Sequence, residues 1–180
     1  MVGITGPVGS GKSTLAGRLA KQVEGLVLST DRYLPNYAET PPDRRDEPGF
    51  SDLARLSSDL QTLQERGEAS VPVWSFHEHR RTGEERVRVG GPILCEGLMA
   101  LHASVSRSLD LAVFVQASRA TRWSRWEAIE NAGERGWGVE AAREHFEDVA
   151  EPTFARFAND YLSAADVIVW NDESGASSGR

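Results

Sequence analysis

Gly6-Pro7-Val8-Gly9-Ser10-Gly11-Lys12-Ser13, followed by Thr14, fits the phosphate-loop pattern of Gly, four residues, then Gly-Lys-Ser/Thr. Ahead of it, Met1-Val2-Gly3-Ile4-Thr5 is a short apolar run suited to a buried strand. Behind it, Ser13 to Val23 places Leu15, Leu19 and Val23 at helical spacing. Strand, Gly-rich turn and helix together give the pattern a mechanism. Glycines let the backbone wrap closely around phosphate oxygens, and the loop N–H groups with the helix N-terminus supply partial positive charge. Gly6, Val8, Gly9, Ser10, Gly11, Lys12, Ser13 and Thr14 are therefore the expected nucleotide-binding residues. Lys12 would reach the β- and γ-phosphates and the Ser13 hydroxyl would hold Mg²⁺. The alternative is a Gly-rich turn that binds nothing, and it leaves the four fixed positions in the right context unexplained.

The chain has 180 residues, enough for one α/β domain with a real core. A net charge of −7 argues against nucleic acid as the main partner, since such binders display basic excess. Arg80-Arg81 and the arginines from Arg119 to Arg125 still leave room for a small phosphorylated ligand. The sequence holds no apolar run of membrane-spanning length and no export signal, so a cytoplasmic protein without a membrane partner is expected. Cys95, inside Ile93-Leu94-Cys95, is expected to be packed rather than reactive.

Further strands are expected at Leu26 to Ser29, Val71 to Phe76, Ile93 to Glu96, Leu109 to Val115 and Asp166 to Trp170. Asp52 to Arg66 puts Leu53, Leu56, Leu60 and Leu63 on one helical face, with Ser51 as N-cap and Gly67 as stop. Thr82 to Val89 reads as a polar, hairpin-like excursion, and Arg119 to Asn131 as a helix. Val139 to Ala164 reads as one helix or two in succession, with Pro152 in the first turn of the second. Arg32 to Phe50 has loop composition, and a loop of that length is usually functional. Residues 172–180, rich in Ser and Gly, are expected to fray, leaving 1–171 as one domain. The alternation implies an α/β fold of three layers around a five-stranded, mostly parallel sheet, with ligands outside the carboxyl ends of its strands.

Two of those ends carry carboxylates, Asp31 and Glu96. Phosphoryl transfer needs positioning, charge neutralisation and a carboxylate to take the acceptor's proton. Asp31 opens the long loop where an acceptor can sit, which suits the base. Glu96 suits Mg²⁺ beside Ser13. The alternative for either is a carboxylate that caps a helix or pairs with an arginine.

Taken together, these segments resemble the uridine/cytidine kinase branch of the phosphate-loop kinases, from Val2 to about Trp170. Ser29-Thr30-Asp31-Arg32-Tyr33 is similar to the family's Asp-x-Phe/Tyr-Tyr, whose Asp is the catalytic base. Thr40 to Arg45 resembles Leu-Pro-Pro-Glu-Glu-Arg, and Asp46-Glu47-Pro48-Gly49-Phe50-Ser51-Asp52 resembles Asp-His-Pro-Asp-Ala-Phe-Asp, whose first Asp binds ribose hydroxyls. Val71 to Arg80 resembles Ile-Pro-x-Tyr-Asp-Phe-x-x-His-x, the segment that reads the pyrimidine, and Tyr161 to Val169 resembles the closing Tyr-Ala-Asp-Val-Ile-Ile. The resemblance implies ATP and Mg²⁺ as cofactors and the 5′-hydroxyl of a nucleoside, uridine or cytidine, as acceptor. It implies Asp31, Lys12 and Arg135 as catalytic residues. Tyr33, Asp46, Trp74, Phe76 and His79 would contact the acceptor, and Arg122 and Arg125 would close over it from a small helical lid at about 119–138.

There are departures. Trp74 stands where the family has Tyr, and Ser75 where it has Asp. Lid arginines expected near Trp126, Ile129 and Trp137 are missing, and Arg119 or Arg143 could replace them. The same residues therefore leave open a related kinase with pantothenate, nicotinamide riboside or a sugar as acceptor, or a non-catalytic nucleotide-binding switch. A GTPase switch would carry Asn-Lys-x-Asp, which is absent from the sequence. His77 and His79 have a metal-like spacing that no Cys or further His cluster supports. Assembly into a homo-oligomer stays open.

Overall fold

A computed structural model of the chain describes residues 1–172. The elements are β1 (Val2–Thr5), α1 (Lys12–Val23), β2 (Leu26–Ser29), α2 (Leu53–Arg66), β3 (Glu68–Ser75), β4 (Arg80–Arg88), β5 (Ile93–Glu96), the single turn α3 (Ala103–Ser106), β6 (Leu111–Gln116), α4 (Arg119–Asn131), α5 (Val139–His145), α6 (Glu151–Ala164) and β7 (Val167–Trp170). Five strands make one sheet in the order β2-β5-β1-β6-β7. Every pairing in it is parallel, with Ile4 opposite Glu96 on one side and Val113 on the other. β1 is the central strand, so the loop that follows it emerges at the middle of the sheet.

Side chains alternate across the pleat and recruit a different helix on each face. Leu94, Val113 and Val115 pack with Ile4 against Ala16 and Ala20 of α1. Their neighbours point the other way. Ile93 and Cys95 meet Leu56, Leu60 and Leu63 of α2, while Ala112 and Phe114 meet Tyr161 of α6. The result is the three-layer α/β arrangement. Cys95 is fully buried, and burial pushes its thiol up to about 12, the state of a packed rather than a reactive cysteine.

The expected polar excursion is the strand β4, paired antiparallel with β3 so that Val71 lies opposite Glu85. β3 begins earlier than the apolar pattern suggests, because Ala69 and Val71 point inward while Glu68 and Ser70 remain open to water or partners. A register shift between Val73 and Trp74 interrupts the ladder near the end of this hairpin.

α2 is capped by Asp52, not by Ser51. The helix starts at Leu53, so the Asp52 carboxylate is the one placed to accept the Arg55 N–H, at 3.1 Å, while the Ser51 hydroxyl is buried with no hydrogen-bond partner among the described residues. The stretch from Val139 to Ala164 divides as α5, a π-helical turn over Phe146–Ala150, and α6, with Pro152 in the first turn of α6. Asn171 and Asp172 are tied down: Asn171 N–H donates to Gln116 O at 2.7 Å and Asp172 Oδ1 accepts Ser118 N–H at 2.7 Å. The rest of the tail expected to fray, 173–180, lies outside the described residues.

Gly67 ends α2 in the left-handed region at φ 73°, its N–H donating to Leu63 O at 3.0 Å. A Cβ there would meet nothing within 4 Å, so Gly67→Ala tests backbone strain alone. The expected cost is about 1–2 kcal/mol in urea unfolding, without loss of nucleotide binding.

Candidate active site

The phosphate loop lies between the end of β1 and α1. Gly9 sits at φ 75°, and a Cβ on it would come within 2.3 Å of the Arg122 carbonyl oxygen, so α4 can pack onto the loop only because this residue has no side chain. Lys12 is buried. Burial lowers the pKa of its ammonium, opposed first by Glu96 and then by Asp31. The Ser13 hydroxyl donates to Glu96 Oε2 at 2.9 Å, which joins the start of α1 to the end of β5. Thr5 fastens the same corner, its hydroxyl reaching Gly97 O at 2.9 Å and Leu98 O at 3.0 Å. One hydroxyl and one carboxylate side by side are hard oxygen donors of the kind Mg²⁺ takes when most of its shell is water and phosphate.

Asp31 follows β2 in a 3₁₀ turn, where the Ser29 hydroxyl accepts its backbone N–H at 3.3 Å. Burial and the nearby Glu96 carboxylate raise its pKa to about 6, against the opposing pull of Lys12 and Arg135. Lys12, Asp31, Asp46, Phe76, His79 and Arg135, all singled out in the sequence, line one cleft. Arg135 arrives from the loop after α4, its guanidinium over the rings of Phe76 (4.9 Å) and Trp126 (5.6 Å).

Four of the expected acceptor contacts do not line that cleft. Tyr33 is fully buried in the α2-facing core, and its hydroxyl donates to Asp59 at 2.8 Å. Trp74 packs edge-on against Tyr37, with ring centroids 5.3 Å apart, one ring removed from the cavity. Arg122 pairs with Glu151, Nη2 donating to Oε2 at 2.8 Å, and its Nε–H reaches Ala117 O at 3.1 Å. Arg125 donates to Gly9 O at 3.2 Å, Ser10 O at 3.3 Å and Asn171 O at 2.8 Å. It borders a second hollow beside the phosphate loop, with Gly11, Thr14, Arg18 and Asn171. Both arginines brace the loop from behind.

The cleft is also lined by residues that sequence reasoning did not assign to the acceptor. Leu34 and Tyr37 come from the long loop, Leu98 from beyond β5, Trp126 and Trp137 from α4 and the loop after it, and His145 from α5. His145 Nε2 lies 3.1 Å from Asp46 Oδ2, and both side chains are at most one-tenth exposed. In the sequence His145 sits with Ala142, Phe146 and Val149 on an apolar helical face, where it reads as a packed histidine. Its partner is 99 residues away, and only the fold brings them together. Burial, and Arg45 after it, lower the pKa of His79 and favour its neutral ring. Among the described residues no group of three or more His, Cys, Asp and Glu side chains forms a metal cage, and His77 and His79 join none.

A phosphate loop after the central strand of a parallel 2-5-1-6-7 sheet, a Ser–Glu pair at its foot and a carboxylate facing its lysine define a phosphate-loop kinase. The chain belongs to the phosphoribulokinase / uridine kinase family, whose family model matches residues 1–173. A uridine kinase of Ligilactobacillus salivarius is 27% identical, over 94% of this chain and 84% of the relative. The uridine-cytidine kinase B of Dictyostelium discoideum is also 27% identical, over 94% and 73%. The structure of a possible uridine kinase from Bacillus stearothermophilus superposes with a TM-score of 0.67 at 15% identity, over 93% of this chain and 86% of that one. None of the described helices is long and apolar enough to cross a membrane.

Tyr33 provides a test of this placement. Tyr33→Phe removes one buried hydrogen bond to Asp59, which keeps its bond from Arg55 Nε at 2.7 Å. The variant is expected to lose about 1–2 kcal/mol of stability in urea titration while KM for the phosphoryl acceptor stays as it was. An acceptor contact would show the reverse.

Proposed function

We propose that this protein transfers the γ-phosphoryl group of ATP to a hydroxyl of a nucleoside, with the 5′-hydroxyl of uridine or cytidine as first candidate. The observation that carries the reading is Lys12 and Asp31 lining one cleft at the mouth of the phosphate loop. In it the loop N–H groups and Lys12 hold the phosphates, and the adenine lies over the hollow bordered by Gly11, Thr14, Arg18, Arg125 and Asn171. Ser13 and Glu96 would hold Mg²⁺, which neutralises phosphate charge when bound.

Asp31 takes the proton from the attacking hydroxyl. A carboxylate with its pKa raised to about 6 is a stronger base than an ordinary aspartate and is still ionised at neutral pH. Asp46, with His145 beside it, binds the acceptor's remaining hydroxyls. Arg135 neutralises charge on the moving phosphoryl group. Residues 119–138 act as a small lid on a single domain, and the compartment that supplies both substrates is the cytoplasm. The names of the relatives support the nucleoside. The engagement of Arg122 and Arg125 with Glu151 and the loop carbonyls favours, as a second reading, a nucleotide-binding switch with slow hydrolysis.

Asp31→Asn separates the two. ATP consumption is expected to rise with uridine or cytidine and to fall by at least ~10³-fold in the variant, with ATP still bound. Consumption indifferent to nucleosides and to the substitution supports the switch. With the wild type, kcat/KM should fall about tenfold per pH unit below about 6, as Asp31 gains its proton. Stability moves in the opposite sense. The folded state holds this proton more tightly than the unfolded chain, so ionising Asp31 costs stability as pH rises through about 6. Asp31→Asn should therefore gain on the order of 3 kcal/mol at pH 7–8 and little at pH 4.

A further inference from the structure

Part of the cleft wall is made of rings. Tyr37 and His79 are stacked, with centroids 5.4 Å apart and planes 11° from parallel. Trp137 stands edge-on to His79 (5.5 Å, 84°), to Tyr37 (6.3 Å, 81°) and to His145 (4.5 Å, 72°). Flat aromatic faces in this arrangement suit a planar heterocycle. Here the heterocycle against them is the protein's own indole.

Trp137 is held in that place. Glu130, buried in the last turn of α4, accepts the Trp126 indole N–H at 3.0 Å and the backbone N–H groups of Trp137 and Gly138, each at 3.2 Å. The Trp137 indole N–H in turn donates to His79 Nε2. A neutral histidine has a single acceptor nitrogen, so this bond uses the one that His79 has. The His79 backbone is fixed as well, at φ 51° and with its carbonyl accepting the Tyr37 N–H at 3.0 Å.

We propose that Trp137 is the specificity-determining residue of the acceptor site: its indole occupies the ring-walled part of the cleft and the His79 acceptor nitrogen, so a base-bearing acceptor must displace it and an acceptor without a base need not. This rests on the nucleoside reading above and deepens it. Trp137 competes with the base for the ring-walled space and for the hydrogen bond, while Asp31, Asp46 and His145 line the rest of the cleft. The gate sets which hydroxyl compounds are phosphorylated and takes no part in the transfer itself.

The test compares uridine with methyl β-D-ribofuranoside, which carries the same 5-hydroxyl and no base, in the wild type and in Trp137→Phe, which keeps a ring and removes the N–H. KM for uridine is expected to fall roughly 3- to 10-fold in the variant, the worth of one hydrogen bond, while KM for the furanoside moves less than about twofold. An unchanged or raised KM for uridine, or an equal change for both, overturns the proposal while leaving the kinase reading intact. A second measurement uses the unaltered protein. The indole ¹⁵N–¹H signal of Trp137, assigned by its loss in the variant, is expected to shift on adding uridine and to stay in place on adding the furanoside. A signal that ignores uridine while uridine is being phosphorylated overturns the gate. Failure of both proteins to phosphorylate any nucleoside, with ATP bound normally, defeats the nucleoside reading and the gate with it.

Discussion

The buried ammonium of Lys12 is the constraint to which the rest of the site answers. An isolated charge there would lose its proton or unfold its surroundings, because burial costs far more than a protein's net stability. Glu96, Asp31 and Asp46 offset that cost, and Arg135 joins them with the same sign as Lys12. The balance is not complete in either direction. Lys12 still has its pKa lowered and Asp31 still has its pKa raised. A site with anionic phosphates in the loop would relieve the first and leave the second, which is the condition a general base needs.

The strands explain why these charges can be so close. β1 and β5 are parallel neighbours, and Ile4 stands opposite Glu96, so the phosphate loop and the Glu96 carboxylate leave the sheet at the same level. β2 pairs with β5 so that Ser29 stands opposite Glu96, which brings Asp31 to that level also. Three strand ends in register thus deliver a lysine, a glutamate and an aspartate to one point. The apolar alternation of Leu94 against Ile93 and Cys95 keeps that register, because a slip of one residue would turn both faces inside out.

Much of this was legible in the sequence. The phosphate loop declares itself through glycine spacing, and the apolar runs mark the five strands of the main sheet to within a residue or two. Asp31, Asp46, Phe76, His79 and Arg135, singled out by position relative to those strands and by motif, line one cleft. The departures from that expectation have a common cause. Tyr33 and Asp59 are 26 residues apart, and Arg122 and Glu151 are 29 apart, so nothing local shows that each polar group already has a buried partner. The pairing of His145 with Asp46, and of Trp137 with His79 over 58 residues, were hidden for the same reason. Motif reading finds polar side chains that could reach a ligand. It cannot tell which of them the fold has already engaged. Ser51 and Asp52 illustrate this within one turn: both are good caps, and the start of the helix at Leu53 gives the role to Asp52.

Phosphotransfer at this site depends on Asp31 sharing one buried field with Lys12 and Glu96. Its ¹³Cγ chemical shift, followed by NMR across pH 3–9 in the wild type and in Lys12→Met, reads that field directly. The expected titration midpoint is near about 6 in the wild type and higher when the lysine charge is removed. A midpoint near 4, the ordinary value for aspartate, in both proteins would mean that the two groups do not face each other across one cleft, and the phosphotransfer site built on them would have to be abandoned.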